Sequence, residues 1–89
     1  MITQQEYEDS IKNPKTYSSK QDTIDGIFPI VEYAIKHLNM IVNINGQTFD
    51  LSQIIPNKPD INDEKNIFAL FMLYNKIIGE PVSQTLIRK

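Results

Sequence analysis

The chain has 89 residues, 40% of them hydrophobic, with a net charge of −2 and no cysteine. That length makes one small domain with a thin core. The missing thiols exclude a disulfide scaffold, thiolate metal sites and cysteine catalysis. Nine basic residues, scattered among eleven acids, form no basic stripe, so the charge balance speaks against a nucleic-acid partner.

At the N-terminus, Thr3 followed by Glu6 is a capping box, with Ile2 and Tyr7 at the staple positions around it. A short helix over 4–12 is expected, stopped by Asn13-Pro14. Its apolar face is only Tyr7 and Ile11, so weak docking or mobility is expected. The stretch "NPKTYSSKQ" (13–21) reads as a polar loop, with Tyr17 exposed on it. Residues 1–21 thus form a short helix and a loop free to move, and 22–89 a compact α+β core. "MITQQEYEDS" also lacks the basic and apolar regions of a signal peptide, and the expected location is cytoplasmic.

Ile24, Ile27, Phe28, Val31, Ala34, Ile35 and Leu38 recur at three- and four-residue spacing, one stripe of a helix. Pro29 interrupts the hydrogen-bond ladder but not the stripe. The reading is a main helix at 28–39 with Pro29 in its first turn and a looser helical turn before it, against a single helix kinked on its solvent side.

"MIVNINGQTFDL" (40–51) is the sharpest local signal. Asn45-Gly46 supplies the positive φ angles of a two-residue hairpin turn. The register then sets Ile44 against Gln47, Asn43 against Thr48, Val42 against Phe49 and Met40 against Leu51. Met40, Val42, Ile44, Phe49 and Leu51 share the inward face. A two-stranded hairpin is marginal alone and must pack on helices or gain strands. The segment 81–89 could add one, with Val82 and Leu86 on one side, as could a hairpin of another chain.

Asp60 or Asn62 caps a last helix at 62–78, with Asp63 and Glu64 in its first turn, Gly79 at its end and Pro81 beyond. It contains "IFALFMLY" (67–74), eight apolar residues in a row. This run is too short to span a membrane, which takes about 20 apolar residues. Ile67, Leu70, Phe71, Tyr74, Ile77 and Ile78 form the core stripe. Phe68 and Met72 lie off its edge and Leu73 on a third side. These three residues are the expected interface, closed by another chain, because large exposed apolar patches often mark contact sites. The competing reading is an ordinary core helix wrapped by the hairpin and the second helix.

No catalytic, cofactor or metal site is expected. His37, the single histidine, has no spacing to a nucleophile and an acid that suggests a triad. "DINDE" (60–64) lacks the glycine and glutamate that a calcium loop needs at its sixth and twelfth positions. Glu6, Glu8 and Asp9 fit a solvated helix face better than an acid/base pair. Three isolated glycines form no phosphate-cradling loop.

The fold expected is therefore α+β: a small single domain with an N-terminal helix, a main helix, an Asn-Gly β-hairpin and an apolar C-terminal helix. The function expected is a non-enzymatic protein–protein interaction module, homodimeric and also binding another protein. Fifteen isoleucines, with eight each of asparagine and lysine, suggest A/T-rich coding and hence a phage- or plasmid-encoded regulator, inhibitor or assembly accessory. The alternative is a sensor or sequestering protein that holds a small molecule between the hairpin's apolar face and the helices.

Overall fold

A computed structural model describes residues 2–38 and 41–79, with Ile44 described by its backbone alone. The order of elements is α1 (Gln4–Lys12), α2 (Lys20–His37), β1 (Ile41–Ile44), β2 (Gln47–Asp50), a 3-10 turn (Leu51–Gln53) and α3 (Glu64–Gly79). Among the described residues these make three α-helices and one two-stranded antiparallel hairpin, a small α+β domain. No helix in them is long and apolar enough to cross a membrane. The expected Met40–Leu51 pair, the stop at Pro81 and the third strand from 81–89 lie outside the described residues.

The capping box forms as the spacing requires. The Glu6 amide donates to Thr3 Oγ1 at 3.1 Å, and the Thr3 amide donates to Glu6 Oε1 at 3.0 Å. Tyr7 takes α1 deeper into the domain than two apolar residues suggest. It is 1% exposed, and its ring stacks on Tyr33 of α2 with centroids 4.6 Å apart. A single large aromatic buries about 150–250 Å², enough for one residue to anchor a short helix.

α2 begins eight residues before the expected 28 and ends at His37. The loop reading of 13–21 is correspondingly too long at its C-terminal end. Ser19 caps the helix, accepting from the Asp22 amide at 3.1 Å, and the helix then continues through Pro29. Proline withholds one amide, the one that the Asp25 carbonyl would have bonded. Asp25 is exposed, so water can take that bond. Ile24 and Ile27 before the proline, and Ile30, Val31, Ala34 and Ile35 after it, are all buried on the same helix. Burial of each such side chain contributes about 1.5–3 kcal/mol, and together they outweigh one missing bond.

The hairpin has the expected register: Ile41 opposite Asp50, Val42 opposite Phe49, Asn43 opposite Thr48 and Ile44 opposite Gln47. Asn45 (φ 53°) and Gly46 (φ 83°) make its turn, and Asn43 Oδ1 accepts from the Gly46 amide at 3.1 Å. The inward face is only partly covered. Val42 and Leu51 are buried, whereas Phe49 is 37% exposed. Ile41 on the opposite face stands open to solvent.

α3 starts two residues later than expected, and its cap is Asp63. The Asp63 carbonyl accepts from the Ile67 amide, and its side chain accepts from both the amide and the side chain of Asn66. Asp60 serves the preceding turn instead, accepting from the Asn62 amide. Two ion pairs hold the connector and α3 to α2: Lys58 with Asp25, and Lys20 with Glu64. Both are exposed, so packing carries the stability. The core lies between α2 and α3, closed by Tyr7, Val42 and Leu51.

Candidate functional site

Among the described residues, the hairpin and the connector leave one side of α3 uncovered. Ile67, Leu70 and Ile77 point into the core, and Phe71 and Tyr74 are packed against it. On the other side Phe68 is 63% exposed, an unusual setting for a phenylalanine in mid-helix. Beside it lies an open hollow of about 600 Å³ between β2 and α3. Phe49 from β2, Ile54 from the connector, and Phe68, Ala69, Met72 and Leu73 from α3 line it, with Gln47 and Lys65 as its polar members. A smaller hollow of about 150 Å³ lies between α2, the connector and α3. Ile54, Ala69 and Leu73 line both, and Ile55 stands 86% exposed on the connector. The apolar surface is therefore continuous from β2, over α3, to the connector.

The three residues singled out in the sequence, Phe68, Met72 and Leu73, all line this hollow. Their different sides on a helical wheel are reconciled by its breadth, because residues of β2 and the connector line it together with those of α3. Sequence reasoning missed Phe49 and Ile54. Phe49 alternates in phase with buried Val42 and Leu51, so periodicity assigned it to the core. Among the described residues no helix covers its end of the strand, and local pattern carries no signal of that.

Among the described residues the hollow offers apolar burial and one cation, Lys65, and its lining includes no carboxylate or imidazole to move a proton. His37 stands elsewhere, at the end of α2, exposed and stacked on Tyr33 with centroids 4.4 Å apart. Among the described residues no group of three or more His, Asp or Glu side chains is placed to hold a metal ion. Asp60, Asp63 and Glu6 serve as helix or turn caps, and Asp9 accepts from the Gln5 side chain at 3.0 Å.

Tyr17 is not the exposed aromatic expected from its polar loop. It is half-buried, with its ring over Gly26 of α2, and it lines a shallow depression with Phe71 and Tyr74. The Tyr74 hydroxyl is buried with no hydrogen-bond partner among the described residues. Burial, with Tyr17 nearby, raises its pKa above the ordinary tyrosine value of 10.0.

The chain matches no family model, no curated protein and no solved structure.

Proposed function

We propose that this chain is a non-enzymatic protein–protein interaction module that works by burying the Phe68 hollow against another polypeptide, its own second copy first. The observation that carries this reading is the 63% exposure of Phe68 beside a hollow lined almost wholly by apolar side chains. Phenylalanine and methionine are enriched in the centres of interfaces, and charged side chains are depleted there. A continuous apolar patch is costly to leave in water and marks a contact site. Such a module suits a regulator, an inhibitor or an assembly accessory, which acts by occupying a partner rather than by turning over a substrate.

The test is solution mass by light scattering after size exclusion, over a dilution series. The chain mass is 10.3 kDa, and a mass near twice that at high concentration is expected. Phe68→Glu should give a folded monomer. Leu70→Ala, in the core at 6% exposure, should instead lower stability by about 2–5 kcal/mol. If Phe68→Glu prevents folding at every concentration, Phe68 belongs to the core and the interface reading is wrong.

A second reading places a small apolar molecule in the same hollow, whose size suits a ligand site and whose Lys65 and Gln47 could orient a polar end. A ligand that raises the melting temperature of the wild type, and not of Phe68→Glu, would support it.

A further inference from the structure

We infer that the second copy docks through α3 in antiparallel fashion, about a two-fold axis midway between Phe68 and Met72. This rests on the interaction-module reading and adds the geometry of the partner. Residues four apart in a helix are offset by only about 40°, so they form a slanting ridge. The ridge beside the hollow reads Glu64, Phe68, Met72, Lys76: acid, aromatic, thioether, base. Turned end for end about its midpoint, it sets Glu64 against Lys76 of the second copy and Phe68 against Met72. Apolar side chains then meet in the centre and opposite charges meet at both ends.

Two other arrangements bring like charges together. A parallel pair brings Glu64 to Glu64 and Lys76 to Lys76. Moving the axis half a residue toward the C-terminus sets Lys65 against Lys76. A two-fold axis makes each favourable contact occur twice, so one complementary ridge supplies both ends of the interface.

The side chains present suit this arrangement. The next ridge is Lys65, Ala69, Leu73, and exposed Ala69 is small enough for a neighbouring helix to approach across it. Phe68 of the second copy then seats in the hollow between Phe49, Ile54 and Leu73. The Glu64 side chain is 75% exposed; it already meets Lys20, but a carboxylate has room for a second cation. Lys76 has no ion-pair partner among the described residues. Glu64 and Lys76 stand about 60° to either side of the ridge's centre line, where the long lysine side chain can bridge the gap.

Charge reversal tests the arrangement on the full chain by sedimentation equilibrium, with circular dichroism as the check on folding. Glu64→Lys and Lys76→Glu should each weaken self-association by about tenfold, and added salt should weaken the wild-type dimer. The double variant should recover wild-type affinity, because both charges are then exchanged and opposite signs again meet at each end of the interface. Mixing the two single variants should give a heterodimer tighter than either homodimer, and this arm decides the matter if the double variant folds poorly. Single reversals that leave the dimer unchanged, or a mixture no tighter than its components, would overturn the antiparallel geometry while Phe68→Glu still dissociates the dimer. A wild-type chain that stays monomeric at its highest soluble concentration overturns both the geometry and the self-association beneath it.

Discussion

The ring of Tyr17 lies over Gly26, so close that no β-carbon could stand there without moving it. Glycine in a helix interior costs about 0.5–1 kcal/mol relative to alanine, and here that cost makes room for an aromatic from the preceding loop. The contact ties the 13–19 loop to α2. Gly26→Ala should therefore give no gain in the wild type, because it evicts Tyr17. In a Tyr17→Ala background the same change should stabilise by about 0.5–1 kcal/mol. Urea unfolding of the four variants checks the cycle. Equal effects of Gly26→Ala in both backgrounds would show that the ring and the glycine are uncoupled.

Tyr7 should be the residue that holds α1. It is the one fully buried side chain of that helix and stacks on Tyr33. Removing a buried aromatic leaves a large cavity, so Tyr7→Ala should cost about 3–5 kcal/mol. That is a large share of the stability of a small domain. Thermal melts would register it, and an unchanged melting temperature would mean that α1 contributes nothing to the core.

Pro29→Ala should stabilise the chain. Alanine restores the amide that the Asp25 carbonyl lacks and has the highest helix propensity. Proline also restricts the unfolded chain, and losing that restriction offsets part of the gain. A net increase of about 1–2 kcal/mol is expected from denaturant titration. A loss of stability would mean that Pro29's own packing matters more than the missing bond.

Acid should weaken the fold through two carboxylates. The Thr3 amide, with help from its hydroxyl, holds Glu6 below its ordinary pKa of 4.5. Hydrogen bonds from Lys58, then Gln21, hold Asp25 below 3.8. In both cases the folded value lies under the unfolded one. Their stabilisation is thus complete above about pH 4.5 and is lost as pH falls through the lowered values. Glu6→Gln and Lys58→Met should each flatten the acid limb of stability against pH while leaving its shape above about pH 5.5 unchanged, as roughly one pH unit clears each titration. An acid limb identical to the wild type in both variants would place the sensitive group elsewhere.

Short-range chemistry determined much of this molecule. The capping box at Thr3 and Glu6, the Asn45-Gly46 turn and the register of the hairpin from Ile41–Asp50 to Ile44–Gln47 follow from residues within a few positions of one another. Such features depend on local φ preferences and on hydrogen bonds that close within one turn of chain, so a single sequence carries them in full. The identity of the apolar helix was legible for the same reason: eight apolar residues in a row cannot all face one core.

Tertiary structure alone decided the rest. Pro29 marks a helix start by local rules, yet α2 runs through it, because buried side chains on both sides of the proline share one face of the packed domain. Asp60, Asn62 and Asp63 are all competent caps, and the last one is used where the chain enters its packing against α2. Phe49 has the periodicity of a core residue and becomes a wall of the hollow, because no element among the described residues covers its end of β2. Which apolar residues remain uncovered depends on the number and placement of elements available to cover them. That is a property of the assembled layers, and no stretch of the chain contains it.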